Sequence, residues 1–422
     1  WIEEELALSG AATSYNPESD LPTDGRFVLD PTYEEDFATR VIVRRPPAAD
    51  FNGTVLVEWL NVSGGFDASP DYTYLADEIL RGGYAWVGVS AQHVGIEGGP
   101  VAVSTPASAA AGAGKGLRAM DPERYGDLHH PGDAFSYDIF TQAGDAARSG
   151  ALLGDLEPER LLAVGESQSA FALTTYANGV QPLSGTYDGF LVHSRGGAAA
   201  PLGGYGTGID IAGTLGGDPT IIRTDLGVPV LTLESETDVV GILNYLPARQ
   251  PDSDTFRLWE VAGTAHADRY LLGPLADRLG CPAPVNDGPQ HVVAKAALRA
   301  LDDWVRDGTA PPEAPRLAVA DGAYERDRDG IVVGGIRTPP VDVPVDVLSG
   351  DPAPGGPLTC LLFGTTTPLA EQRVAERYAD RAAYVAAYEK AADAAVDAGF
   401  VLPEDRAALL GYAQPDRVTA TR

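Results

Sequence analysis

The stretch Leu161-Leu162-Ala163-Val164-Gly165-Glu166-Ser167-Gln168-Ser169-Ala170-Phe171-Ala172 constrains this chain more than any other. An apolar, β-prone run enters Gly-x-Ser-x-Ser and leaves as a helix-forming run. A strand can turn into a helix that abruptly only if the flanking residues are small, because side chains two positions either side of the serine converge. The serine is then held strained and exposed. The N–H groups of the first helical turn, beginning at Gln168, point at whatever the serine oxygen attacks. Among the serines only Ser90 and Ser167 have glycine two positions earlier, and only Ser167 also has a small residue two positions later. Ser167 is therefore the candidate nucleophile, with a purely structural strand-to-helix turn as the plain alternative. Ser169, where a second glycine is usual, is a mild departure.

Short β-branched and apolar runs recur between helical stretches, the pattern of a mostly parallel sheet covered by helices. Strands are expected at Arg26–Leu29, Thr39–Arg44, Thr54–Leu60, Tyr84–Ser90, Leu161–Val164, Gly189–His193, Val228–Leu233 and Phe256–Val261. Helices are expected at Tyr72–Arg81, Asp138–Leu153, Gln168–Asn178 and His291–Arg306. Eight strands with the serine turn near the middle of the alternation point to the α/β-hydrolase fold. At 422 residues and 44% hydrophobic, the chain can bury one large core with additions. We expect an eight-stranded, mostly parallel sheet in a catalytic domain over 1–310, with a C-terminal extension over 311–422 packed on its core. Two segments interrupt the alternation, 91–135 and the glycine-rich 195–226. Loops this long are usually functional, and both are expected to form a lid. Within the first, Val101–Gly114 reads as a surface loop.

That fold orders its catalytic residues as serine, acid, histidine. Downstream of Ser167 lie His193, His266 and His291. His193 sits inside a strand and reads as a core histidine, and His291 opens a helix and reads as a cap or surface residue. His266 follows the last strand in Gly263-Thr264-Ala265-His266-Ala267-Asp268 and is the expected base. The preceding strand runs into Glu234-Ser235-Glu236-Thr237-Asp238-Val239-Val240, which offers three carboxylates. Asp238 is the first choice. Glu236 and Glu234 stay open, with surface charge as the alternative reading of whichever two are unused. For the oxyanion hole, one N–H should come from Gln168 and the other from Val62 or Asn61 in the loop Trp59-Leu60-Asn61-Val62-Ser63-Gly64-Gly65, where the glycines admit a close approach.

Sixty acidic residues against 30 basic give a net charge of −30. Such a surface repels phosphate backbones and anionic lipid, so neither nucleic acid nor membrane is an expected partner. No run of 18 or more apolar residues is present to span a bilayer. The two cysteines, Cys281 and Cys360, cannot make a thiolate zinc site and form no CxxC pair. A disulfide between them is expected, tying the loop after the last strand to the tail, with two unrelated buried thiols as the alternative. No metal site is expected. The chain begins at Trp1 rather than Met, so a trimmed N-terminal segment is expected, with a lean toward an extracytoplasmic setting. Nothing in the sequence speaks to oligomeric state.

Several further segments recur as a set: Glu3-Glu4-Glu5 with Ser9-Gly10-Ala11, Val57-Glu58-Trp59-Leu60-Asn61, Arg124-Tyr125-Gly126, Pro131-Gly132-Asp133, Asp138-Ile139-Phe140, Gly165-Glu166-Ser167-Gln168-Ser169 and Gly334-Gly335-Ile336-Arg337. With these the chain resembles a bacterial family of α/β-hydrolase domain-containing proteins over nearly its whole length, tail included. The resemblance implies a hydrolase that needs no added cofactor, and it implies no particular substrate. The expected reaction is cleavage of a small-molecule carboxylic ester through an acyl-enzyme. Lactone or amide cleavage and acyl transfer would use the same triad, and a non-catalytic binding protein on the same scaffold is the contrasting reading.

Overall fold

The computed structural model describes residues 1–418, so the last four positions of the expected extension lie outside the described residues. The sheet opens with a long hairpin that strand periodicity does not reveal. Its first strand, β1 (Ile2–Pro17), pairs antiparallel with β2 (Leu29–Arg45), from Ile2 opposite Arg45 to Pro17 opposite Leu29. The outer half of β1 is exposed, so it lacks the alternation that a half-buried strand must show. The strand expected at Arg26–Leu29 does not form there. Residues 22–25 make a turn, with Gly25 N–H on Pro22 O at 3.1 Å and Arg26 N–H on the Asp24 carboxylate at 3.1 Å. Aspartate and glycine in a turn of this kind outcompete a strand, and only Leu29 enters one.

The remaining strands are β3 (Thr54–Trp59), β4 (Ala85–Val89), β5 (Arg160–Glu166), β6 (Gly189–His193), β7 (Val230–Ser235) and β8 (Phe256–Val261). They line up as β1-β2-β4-β3-β5-β6-β7-β8. β2 runs antiparallel to β4, while β3 is parallel to both β4 and β5, and β5 to β6. β3, β4 and β6 are buried along their whole length, as strands covered on both faces must be. The chain steps from β3 outward to β4 and returns on the other side of β3 as β5. The carboxyl ends of β3 and β5 thus flank a topological switch point, where open α/β sheets bind ligands.

The principal helices are α1 (Pro70–Gly82), α2 (Ser136–Arg148), α3 (Gln168–Thr175), α4 (Glu236–Val240), α5 (Gln290–Asp307) and α6 (Arg381–Asp397). α2 stops five residues short of the expected Leu153, just before Gly150 at φ 78°. α3 gives way to a π-helical turn over Tyr176–Val180. The segment 91–135 is less irregular than expected and holds short helices, one of them Pro106–Ala110 inside the stretch read as a loop.

The chain forms two compact units, 1–232 with 245–256 and 301–309, and 233–244 with 257–300 and 310–422. The chain passes from one unit to the other within β7, within β8 and again between 309 and 310. In the second unit the tail runs beside β8. Trp259 Nε1 donates to Pro312 O at 2.9 Å, Leu317 N–H to the Glu260 carboxylate at 2.7 Å, and Ile336 N–H to Glu260 O at 2.7 Å. Gly335 (φ 68°) permits that last approach, since a Cβ there would lie 2.5 Å from Leu317 and 3.0 Å from Glu260 O. Beyond it Val343, Val345, Val374, Tyr378, Tyr384 and Tyr388 bury one another. Cys281 and Cys360 are joined by a disulfide, their Cα atoms 5.8 Å apart. Among the described residues no helix is long and apolar enough to cross a membrane.

Candidate active site

Ser167 sits at the end of β5 with φ 61° and ψ −120°, a conformation that L-residues other than glycine avoid. Two contacts hold it there. Its N–H donates to His193 O of β6 at 2.9 Å, and its own carbonyl accepts from Ala170 and Phe171 as α3 begins. The flanking glycine relieves crowding, because a Cβ on Gly165 would lie 2.9 Å from the Leu173 side chain and 3.0 Å from the Cβ of Ser169. This also explains the serine in the second glycine position: Ser169 Cβ uses the space that Gly165 leaves. Ser167 is partly exposed, whereas Gln168 is buried. The Gln168 N–H is one of the orphan donors at the head of α3.

Across the switch point, the loop after β3 is tied to this turn. Asn61 Nδ2 donates to Glu166 O at 3.0 Å, and Val62 N–H to Gln168 Oε1 at 3.3 Å. The two candidate oxyanion donors in the loop now separate. The Asn61 N–H is spent on Ala68 O at 2.9 Å, whereas the Val62 N–H is held only by a side chain, through a long hydrogen bond. Part of the first inserted segment lies on this loop: Ala102 and Val103 N–H both donate to Ser63 O, and Gly114 N–H to Gly65 O at 2.7 Å. The second inserted segment joins the first through the buried Asp133. That carboxylate accepts from His93 N–H and Ile209 N–H, both at 2.7 Å, and from Ser136 Oγ at 3.0 Å.

In the second unit, His266 Nδ1 lies 2.7 Å from Asp238 Oδ1. A carboxylate only accepts, so Nδ1 carries the proton and Nε2 is the basic nitrogen. Asp238 is fully buried, and its other oxygen takes the Ser235 N–H at 2.6 Å. It stands in the single turn of α4, not in an open turn. Glu236, two residues earlier, faces elsewhere. It pairs with Arg326 at 2.8 Å, accepts from Ser349 Oγ at 3.1 Å, and accepts the Gly263 N–H at 3.0 Å at the base of the His266 loop. Its carboxyl is pushed above the ordinary range by burial, with Arg326 opposing. Glu234 is buried as well, so the surface reading fails for both glutamates. β7 is buried along its whole length, and Glu236, Thr237, Asp238 and Val239 of α4 are buried as well. Ala267 N–H donates to Leu362 O at 3.0 Å, and Asn286 N–H to Phe363 O at 2.9 Å. The segment anchored by the disulfide thus braces the histidine loop.

His291 is also not a surface residue. It is buried, and its ring stacks flat on Tyr270 with centroids 3.7 Å apart. His193 is a core histidine as expected of a strand interior, but its partner is a residue the sequence did not single out: Asp71 Oδ1, 2.8 Å from His193 Nδ1, both fully buried. Beside them, Glu58 accepts from Asp71 N–H, Tyr72 N–H and Trp86 Nε1 at 2.8–3.1 Å. Burial, reinforced by the neighbouring Asp71, raises its carboxyl well above the usual range. Proline two residues ahead of Tyr72 marks a helix start whose orphan N–H groups need an acceptor, and this was the available signal. Among the described residues no cluster of His, Cys, Asp or Glu is arranged to hold a metal ion.

The chain belongs to the α/β-hydrolase domain family, whose model matches residues 1–411. No curated protein matches the sequence. Solved structures similar to it include an esterase from the fungus Rhizomucor miehei, 12% identical, covering 72% of this chain and 84% of its own, with a TM-score of 0.34. Another is a serine hydrolase without a lid from Xanthomonas campestris, 10% identical, covering 69% and 94%, with a TM-score of 0.34. A third is a thermostable esterase from Pseudomonas putida, 12% identical, covering 69% and 81%, with a TM-score of 0.32. Scores this low carry no argument about activity.

Proposed function

We propose that this protein is a serine hydrolase that cleaves a small-molecule carboxylic ester through an acyl-enzyme. The observation that carries the reading is the left-handed backbone of Ser167 between β5 and α3, an expensive conformation that projects a serine oxygen at the switch point. In the first step the Ser167 Oγ bonds to the ester carbonyl carbon while its proton passes to His266 Nε2. Asp238 holds the tautomer and stabilises the imidazolium. The carbonyl oxygen becomes an oxyanion that accepts from Gln168 N–H and Val62 N–H. The bond to the alcohol oxygen then breaks, and that oxygen takes the proton from His266. Water repeats the sequence on the acyl-enzyme and releases the acid. In this reading the segments 91–135 and 195–226 form the lid over the site.

A panel of esters of graded acyl length, with lactone and amide analogues beside them, tests the proposal on wild type and Ser167→Ala. Wild type should turn over esters fastest and be labelled at Ser167 by a fluorophosphonate. Ser167→Ala should fold and lose nearly all turnover, retaining at most the ~10³–10⁴-fold over water that binding and the oxyanion hole supply. A Ser167→Ala variant keeping more than a few per cent of the wild-type rate would refute the assignment. A wild type that neither turns over nor labels would leave a binding scaffold.

A further inference from the structure

The side chain of Gln168 is placed as if for two different hydrogen bonds. Val62 N–H can only donate, so the atom facing it at 3.3 Å is the carboxamide oxygen, and the amino group points the other way. Gln168 is 3% exposed, and its Nε2 has no hydrogen-bond partner among the described residues. The neighbouring carboxamide of Asn61 shows what full use looks like: Nδ2 donates to Glu166 O, and Oδ1 accepts from both Ser63 N–H and Ser63 Oγ. Buried donors are rarely left without an acceptor. This one belongs to the residue whose backbone N–H heads α3 beside Ser167, and its own oxygen occupies the N–H assigned to the substrate.

We propose that the Gln168 carboxamide is a switchable member of the oxyanion hole. In the free enzyme Oε1 accepts from Val62 N–H. When the substrate oxygen takes that N–H, the amide turns over and Nε2 donates to the same oxygen, beside the N–H groups of Val62 and Gln168. The motion is rotation about the terminal side-chain bond, a soft sp³–sp² torsion, and no covalent bond changes. The inference rests on the acyl-transfer reading above and adds a third donor to it, from a side chain.

The test uses the full chain, an ester that wild type hydrolyses, and phenylboronic acid as a mimic of the tetrahedral oxyanion. Gln168→Glu keeps the size and the acceptor for Val62 N–H but, as a carboxylate, has no donor. Gln168→Met keeps the length and has neither. Loss of one such donor typically lowers kcat by ~10²–10³-fold, and we expect that range for both variants, with KM within about threefold. Boronate affinity should fall in step with kcat, and the Gln168→Glu deficit should deepen as pH rises and its carboxyl ionises. Fluorophosphonate titration should still end near one site per chain. Gln168→Glu at the wild-type kcat would reduce Gln168 to a brace for Val62 and overturn the inference. A gain in kcat/KM for Gln168→Met would do the same, by making the side chain a plug. If Gln168→Met does not fold, the near-isosteric Gln168→Glu still decides. Failure of wild type itself to label at Ser167 would bring down the parent reading, and this inference with it.

Discussion

Two buried aspartate–histidine pairs occur in this chain with almost the same geometry, Asp71–His193 at 2.8 Å and Asp238–His266 at 2.7 Å. Distance and burial do not tell them apart, but the backbone around each does. His193 is the last residue of a central strand. Its carbonyl is spent on Ser167 N–H, its ring packs edge-on against Tyr74, and its aspartate lies in the first turn of α1 beside Glu58. His266 lies in an irregular loop, and its aspartate is held by a backbone N–H at the end of β7. A proton carrier must have one ring nitrogen oriented and the other accessible to a reacting group. A pillar needs only to be satisfied in place. We therefore read the first pair as the pillar under the nucleophile turn and the second as the catalytic pair.

The sharpest way to break this distinction is to neutralise each aspartate in turn. Asp238→Asn should cost on the order of 10³–10⁴ in kcat, as loss of the orienting carboxylate does in this mechanism, with thermal melting nearly unchanged. Asp71→Asn should do the opposite. Weakening a fully buried hydrogen bond and leaving its partner poorly satisfied costs about 1–3 kcal/mol of stability, while the folded fraction should keep kcat within about tenfold of wild type. Urea unfolding and steady-state kinetics on both variants decide, and an exchange of the two phenotypes would exchange the two roles.

A second comparison sets the braces of the His266 loop against the pair itself. Replacing Cys281 and Cys360 by serine opens a loop with a sequence separation of 79. It should lower stability by about 4 kcal/mol in the chain-entropy account, with kcat within about threefold at a temperature where the variant stays folded. Glu236→Gln weakens the contact to Arg326 and should cost about 1–3 kcal/mol of stability. It and Glu234→Gln should both stay within tenfold of the wild-type kcat. A glutamine variant that fails catalytically while Asp238→Asn survives would transfer the acid role to that glutamate.

The smallest expected effect concerns Glu58 and pH. The folded chain holds this proton more tightly than the unfolded chain does, since burial and Asp71 raise the folded value above the ordinary 4.5. Its favourable contribution is therefore fully present below about 4.5 and is lost as pH climbs through the raised folded value. Glu58→Gln does not titrate, so its stability relative to wild type should improve between about pH 5 and pH 8. Urea midpoints at the two ends of that range measure the change. A difference that stays constant or reverses would place the proton elsewhere in the Glu58–Asp71–His193 group.

Features set within a few residues of chain were legible without coordinates. β6 and β8 have the bounds their apolar runs imply, and the turn at Ser167 follows from Gly165, Ser167 and Ser169, because the steric conflict that demands small residues there is local. The motif order pointed to His266 as the expected base and to Asp238, ahead of Glu236 and Glu234, as the acid. Which of Glu234, Glu236 and Asp238 meets the imidazole was a tertiary decision. It depends on how β7 passes into α4 and on Arg326 and Ser349, some 90 and 113 residues further on, which engage Glu236. The same holds for β1, an exposed strand that exists by pairing with β2, and for Asp71 opposite His193 and Asp133 between the two inserted segments. The physical reason is range. Backbone sterics and side-chain periodicity act between neighbours in sequence. A hydrogen bond across 122 residues, such as Asp71 to His193, forms only when the register of separate strands and helices brings two groups within 3 Å, and no local pattern records that register.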